Sequence, residues 1–157
     1  MVRKYQSGVM LLEALIAILV FSFGVLGLVA LQASAIQGSR DAQYRSQAAM
    51  LANDLIGQMW ATSRVGADLQ TNFQGDGEQT GPTNILTDGQ AYTDWADRVS
   101  LGLSPTLPGA IPPNVQITPG GVGPPKTATQ VVVTLNWRAP NEDPAASHSY
   151  RVVFQII

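Results

Sequence analysis

Residues 9–31 read VMLLEALIAILVFSFGVLGLVAL, and this apolar run decides the fold of the chain. It carries one charge, on Glu13. At about 1.5 Å rise per residue, a helix of this length spans about 34 Å, which is enough to cross a hydrocarbon core of about 30 Å. Arg3 and Lys4 precede the run, and the next positive residue is Arg40. This asymmetry predicts a single-pass helix with a cytoplasmic N-terminus and the remainder of the chain outside the cytoplasm.

An exported protein with a removable signal peptide is the alternative interpretation of this run. Signal peptides have apolar cores of about 7–15 residues followed by a small-x-small cleavage site, and Ala-Ser-Ala does occur at 33–35. The run here is longer, and it contains Glu13, whose carboxylate costs about 2.5–3.5 kcal/mol to insert without a partner. A simple signal sequence gains nothing from that residue, so the pattern favours a retained transmembrane segment.

The helical pattern continues beyond the apolar run, because residues 32–63 contain no proline. Apolar residues in this stretch recur at spacings of three and four, the pattern of an amphipathic helix with one apolar face. The stripe consists of Tyr44, Ala48, Leu51, Leu55 and Met59, flanked by Ala52, Ile56 and Trp60. We therefore predict one helix over residues 9–63, about 80 Å long, with a transmembrane half and an amphipathic half.

The middle of the chain predicts little regular structure. Residues 64–90 are rich in Gly, Asp, Asn, Gln and Thr, which predicts an irregular connection. Asp94 is predicted to cap a short helix that turns Trp95, Val99 and Leu103 inward. Within the proline-rich stretch 104–126, Val115 and Ile117 predict one short edge strand.

Strict alternation of apolar and polar residues in 131–138 and 150–157 predicts two strands with one buried face. The inward residues are Val131, Val133, Leu135 and Trp137 on the first strand, and Tyr150, Val152, Phe154 and Ile156 on the second. A polar turn segment separates them, so residues 130–157 are predicted as an antiparallel hairpin. The predicted fold class is α+β, a long N-terminal helix packed against a small antiparallel sheet.

Composition excludes several classes of function. Charged residues make up 13% of the chain, the formal net charge is −2, and there is no basic block, so nucleic-acid binding is not expected. There is no cysteine and one histidine, which excludes an ordinary structural zinc site. Nucleophile, phosphate-binding and metal motifs are missing from the sequence, and we expect neither enzymatic activity nor a cofactor.

A few other residues could carry chemistry, but each has a simpler structural interpretation. His148 lies in the polar turn segment and is predicted at the surface. Three acidic residues of the Gly-rich connection could ligate calcium, although their spacing fits no EF-hand. They are Asp76, Glu78 and Asp88. The tryptophans are predicted in the core, since an aromatic platform would need basic neighbours. They are Trp60, Trp95 and Trp137.

The N-terminus resembles that of type IV prepilins. It reads Ser7-Gly8-Val9-Met10-Leu11-Leu12-Glu13, a short basic leader ending in glycine, followed by an apolar helix with glutamate at its fifth residue. The family usually has phenylalanine where this chain has Val9. The rest of the chain is similar to minor pilins of the PilV type, the type IV pilus modification proteins. That similarity lies in Leu26-Gly27-Leu28, Leu31-Gln32, Asp94-Trp95, Leu107-Pro108-Gly109 and Val131 to Trp137-Arg138.

The resemblance implies how the chain is processed and divided. Residues 1–8 would be a leader peptide that prepilin peptidase removes by cutting between Gly8 and Val9, and the new N-terminus at Val9 would be N-methylated. Residues 9–31 would anchor the chain in the inner membrane, and residues 32–157 would form a periplasmic pilin-like domain. Loss of Arg3 and Lys4 changes the net charge from −2 to about −4, which argues further against DNA as a partner.

The resemblance also implies a function as a structural subunit. A minor pilin helps to initiate pilus assembly in an inner-membrane and pilus-tip complex with other minor pilins and the major pilin, and a tip adhesin is a further partner that the resemblance allows. Glu13 would neutralise the Val9 α-ammonium, either within its own helix or on a neighbouring subunit, and the family favours the neighbour. A pseudopilin of a type II secretion system shares this N-terminal signature and is the alternative. A membrane-tethered module that binds a surface ligand is a further one.

Gly24 and Gly27 lie in the middle of the apolar run. Each weakens a helix by about 1 kcal/mol relative to alanine. Close packing of a second helix explains them, and so does local melting during assembly, which the family resemblance implies. Both interpretations stay open at the level of the sequence.

Overall fold

The computed structural model describes residues 7–77, 87–103, 105–121, 127–140, 142–143 and 145–157. The chain divides into two units, residues 1–41 and 42–157. The first helix, α1, runs from Ser7 to Thr62 and contributes to both. The prediction of one continuous helix through the apolar run and the amphipathic stretch is confirmed.

Among the described residues of the unit 42–157 there are three further helical elements and a sheet. Helix α2 spans Gly66–Phe73, helix α3 spans Gln90–Ala96, and a π-helical turn, Asp97–Leu101, follows α3 directly. Strands β1, β2 and β3 span Asn114–Thr118, Thr129–Trp137 and His148–Ile156. They form an antiparallel sheet in the order β1-β2-β3. The predicted edge strand and hairpin are both confirmed, and the fold is α+β with a long N-terminal helix.

The core lies between the amphipathic part of α1 and the sheet. From α1, four residues at helical spacing are buried: Ala48, Ala52, Leu55 and Met59. From β2, every second residue from Val131 to Trp137 is buried, as the alternation predicts. These residues belong to one hydrophobic cluster with Trp95 and Val99, which lie on and just after α3. At about 25 cal/mol per Å² of apolar surface removed from water, this cluster is the main source of stability in the unit.

Strand β1 is a protected edge. Pro112 and Pro113 come just before it and Pro119 directly after it. Its centre pairs with Gly75: the N–H of Val115 donates to the carbonyl of Gly75 at 2.8 Å, and the N–H of Gly75 donates back at 3.1 Å. Gly75 must be glycine, because a Cβ there would lie 2.3 Å from the ring of Tyr92. The Tyr92 hydroxyl donates to the carbonyl of Pro113 at 2.6 Å and ties α3 to this edge.

Three predictions for the middle of the chain are wrong, and they concern residues 66–73, Asp94 and Leu103. Residues 66–73 were predicted as irregular but form α2, because burial of Leu69 and Phe73 outweighs the turn-forming composition around them. Asp94 does not cap α3; the helix begins after Gly89, and Asp94 accepts a hydrogen bond from the Gln90 amide within it.

Leu103 was predicted to face inward and is fully exposed. The π-helical turn has more residues per turn than an α-helix. A residue four positions after Val99 is therefore not brought back to the inward face, and Leu103 points outward. The chain leaves this turn at Gly102, whose N–H donates to the Asp97 carbonyl at 2.8 Å.

Trp60 is not a core residue, whereas Trp95 and Trp137 are. Trp60 is 43% exposed, because it lies about 100° around the helix from the buried Met59. The guanidinium of Arg64, one turn later, lies 5.5 Å from the centre of its ring. This contact covers part of the indole with a cation instead of with the core.

Trp137 provides a direct test of the packing between β2 and α1. Replacing it with alanine should lower the free energy of unfolding by about 3–5 kcal/mol, because the indole is 97% removed from solvent in this cluster. Trp137→Phe should cost clearly less, because the indole N–H is buried without a hydrogen-bond partner in the described structure, so no bond is lost. Urea unfolding of both variants measures the difference, and wild-type stability in Trp137→Ala would show that the packing is wrong.

Candidate processing and assembly site

The predicted cleavage pair lies in the first turn of α1. Gly8 follows Ser7, the first helical residue, and Val9 comes next with its side chain 72% exposed. The Gly8–Val9 bond therefore lies in the first described turn of α1.

Glu13 lies one helical turn beyond Val9. A separation of four residues places both on the same face, about 6 Å apart along the helix axis. The Glu13 side chain is exposed, and neither ion pair found among the described residues includes it. In a hydrocarbon environment such a carboxylate needs a cation, and the closest position at which processing would create one is the amine of Val9.

Glu13 stands in a segment whose apolar side chains face outward on all sides. Every residue from Val9 to Leu31 is exposed. Helix α1 contains a stretch that is long and apolar enough to cross a membrane, and among the described residues it is the only one. The hydroxyl of Ser22 donates to the carbonyl of Ile18 at 2.8 Å, so this polar group is satisfied without water.

Gly24 and Gly27 are both helical, and a Cβ at either would meet nothing within 4 Å. No contact within the described chain therefore requires glycine at these positions. Both interpretations of the pair, close packing of another helix and local melting, stay predictions.

The sequence predicted His148 in the polar turn, at the surface. The side chain is instead half-buried, and the residue is the first of β3. Its ring stacks on that of Trp137, its neighbour across the hairpin, with centroids 5.8 Å apart and planes at 15°. Its Nε2 atom lies 3.1 Å from both carboxylate oxygens of Glu142. Hydrogen bonds from His148 and from the N–H of Ala139 lower the pKa of Glu142. The four residues fasten the loop end of the hairpin, which is a structural role.

Of the acidic residues considered for calcium, Asp88 contacts the backbone through its side chain. One carboxylate oxygen of Asp88 accepts a hydrogen bond from the N–H of Asp76 at 3.0 Å and so joins the two ends of the connection. Glu78 lies outside the described residues. Burial raises the pKa of Tyr92, and the carboxylates of Asp88 and Asp76 raise it further.

Comparison of the chain with protein-family models, with curated proteins and with solved structures finds no match.

The Glu142 carboxylate should make the stability of the domain depend on acid pH. Because its pKa is lower in the folded chain than its ordinary value near 4.5, its ionised form stabilises the fold above that pH. This contribution is lost as the pH falls below about 4.5 and through the folded pKa. Glu142→Gln should therefore flatten the fall in melting temperature between about pH 5 and pH 3.

The matched control is Asp97→Asn, because the Asp97 side chain makes no hydrogen bond or ion pair in the described structure. It should keep the wild-type pH profile. An equal flattening in both variants would contradict the assignment of this acid sensitivity to Glu142.

Proposed function

We propose that this chain is a type IV pilus minor pilin, a structural and non-enzymatic subunit that helps to initiate pilus assembly. It is made as a precursor, anchored in the inner membrane by α1, and incorporated into the pilus after prepilin peptidase removes residues 1–8. Its partners are other minor pilins and the major pilin, and its outer domain lies in the periplasm. The observation that carries the proposal is one exposed carboxylate, Glu13, one turn from Val9 in an otherwise apolar exposed helix.

Cleavage couples processing to assembly through charge. Before the cut, the nitrogen of Val9 is part of an amide and carries no charge. Hydrolysis of the Gly8–Val9 bond converts it to an α-ammonium, and N-methylation keeps that charge. The helix then carries one cation and one anion in lipid, four residues apart, and each lowers the cost of the other when they pair.

Pairing between subunits makes this charge useful for assembly. Within one helix the pair only reduces the cost of insertion. Between two helices, the carboxylate of an incoming subunit and the ammonium of its neighbour fix how far one helix is shifted along the other. Such a pair recruits only processed subunits, because an unprocessed neighbour offers no ammonium.

The first test concerns Gly8. A residue without a side chain suits a narrow peptidase site, so Gly8→Val should leave the full-length precursor in the membrane. Gly24→Val is the matched control, since a Cβ at that glycine meets nothing within 4 Å, and it should be cut normally. Intact-mass analysis of the membrane protein shows for each variant whether residues 1–8 have been removed. A wild-type chain that still begins at Met1 would refute the proposed function.

The second test separates anchoring from assembly through Glu13. Glu13→Leu should insert at least as well as wild type, since a neutral residue is easier to hold in lipid, and it should still be cut at Gly8. Breaking one side of a buried charge pair typically costs about 3–5 kcal/mol, or roughly 10²–10⁴-fold in association. The processed variant should therefore be depleted from sheared pili and from crosslinks to other minor pilins.

Glu13→Gln is the control for shape, because it keeps the side-chain length and removes only the charge. It should be depleted as strongly as Glu13→Leu. The decisive quantity is the amount crosslinked at equal membrane levels, and wild-type crosslinking by both variants would mean that the carboxylate has no role in assembly.

A further inference from the structure

A groove opens on the unit 42–157 beside the amphipathic part of α1. Its volume is about 380 Å³, and it is lined by Met50, Leu51 and Gln47 of α1 and by Thr106 of the loop that follows the π-helical turn. Met50 is 70% exposed. The lining is mostly apolar, and the volume is in the range that takes a few side chains of a ligand or partner.

One polar atom in this groove has no partner. The Oε1 atom of Gln47 is buried and accepts no hydrogen bond in the described structure. A desolvated acceptor of this kind is unfavourable unless something supplies a donor. This atom is closed off from solvent, so the groove itself offers apolar contact.

Three residues before Thr106 of the groove, the chain carries an apolar side chain that projects from the domain. Leu103 has a relative exposure of 107%. Two backbone hydrogen bonds flank it: the N–H of Gly102 donates to the carbonyl of Asp97, and the N–H of Thr106 donates to that of Arg98 at 3.0 Å. Leu103 is thus exposed to solvent and is not folded back onto the domain.

One cation and one anion, Arg98 and Asp54, lie beside the groove, so this patch is complementary in charge to a second copy of itself. The Arg98 guanidinium lies 3.2 Å from the Asp54 carboxylate, and both side chains are about half exposed. A two-fold axis beside this pair would place each guanidinium opposite the carboxylate of the other copy. Closed two-fold interfaces use one patch twice in this way, and a patch with one cation and one anion can do so without repulsion.

We propose that this surface binds a second copy of the chain, with Leu103 of each copy inserted in the groove of the other between Met50 and Thr106. Arg98 of each copy faces Asp54 of its partner. The proposal rests on the proposed function only in taking both copies to be held in one membrane. Such tethering raises their effective concentration, so that a small interface suffices.

The absence of cysteine from the chain makes a direct test possible, since any disulfide must come from introduced residues. Two differently tagged full-length chains, one with Met50→Cys and one with Leu103→Cys, are produced together and oxidised in the membrane. Their disulfide-linked product should exceed by at least about 10-fold that of Met50→Cys with Val153→Cys. Val153 is the matched control, an apolar residue 49% exposed on the outward-facing side of β3. Equal yields from the two pairings would overturn the proposal.

Exchanging the two charges of the Arg98–Asp54 pair provides a second test, and it should leave each domain folded. A chain with both Asp54→Arg and Arg98→Glu retains an ion pair of reversed polarity within itself. When one tagged copy carries the exchange and the other does not, like charges face each other and the crosslink should fall several-fold. When both copies carry it, the crosslink should recover. A yield that does not change among the three pairings would refute the two-fold contact.

This test is independent of the tests of the proposed function. Crosslinking between Met50→Cys and Leu103→Cys requires neither cleavage at Gly8 nor the charge of Glu13, and the masses of the same chains show whether the leader was removed. A processed chain without the crosslink refutes only the second-copy contact. A crosslinked chain that still begins at Met1 refutes only the proposed function.

Discussion

Burial of one helical stripe against one strand is the interaction on which the rest of the structure depends. The residues from Ala48 to Met59 that face inward on α1 belong to the same hydrophobic cluster as the inward residues of β2, which are all buried. Strands β1 and β3 add to the two sides of β2, and α3 places Trp95 in the same cluster. The indole N–H of Trp95 also donates to the carbonyl of Leu51 at 3.1 Å, so the core joins α3 to the backbone of α1 as well as to its side chains.

Periodic segments could be predicted from the sequence, and segments shaped by tertiary contacts could not. Spacings of three and four along α1, and of two along β2 and β3, are set by the geometry of the helix and the strand themselves. Helix α2 has only Leu69 and Phe73 to indicate it, and the π-helical turn after α3 has no sequence signal that separates it from an α-helix. Trp60 was assigned to the core from its residue type, although its position around α1 places it outside.

The placement of Val9 and Glu13 on one helix could be predicted from sequence more completely than the domain, because it depends on spacing along that helix, whereas their role stays a prediction. A separation of four residues between Val9 and Glu13 has the same geometric meaning in any α-helix. The groove beside Met50 and the exposed Leu103 depend instead on how a loop returns to α1, which no local pattern specifies. The His148 contacts were missed for a related reason: its partners Trp137 and Glu142 become neighbours only when the hairpin closes.

The order of the elements along the chain has a consequence for synthesis and export. Strand β2 begins at Thr129, 70 residues after Met59 (129 − 59), the end of the stripe that it covers. Contacts so distant in sequence form slowly, because a long loop must close before they gain any free energy. Until both strands have been made, α1 exposes an apolar face beyond the stretch that is long and apolar enough to cross a membrane, and that face is open to chaperones, proteases and aggregation. A ribosome that stalls before β2 would thus leave this helix without its cover, a natural substrate for quality control.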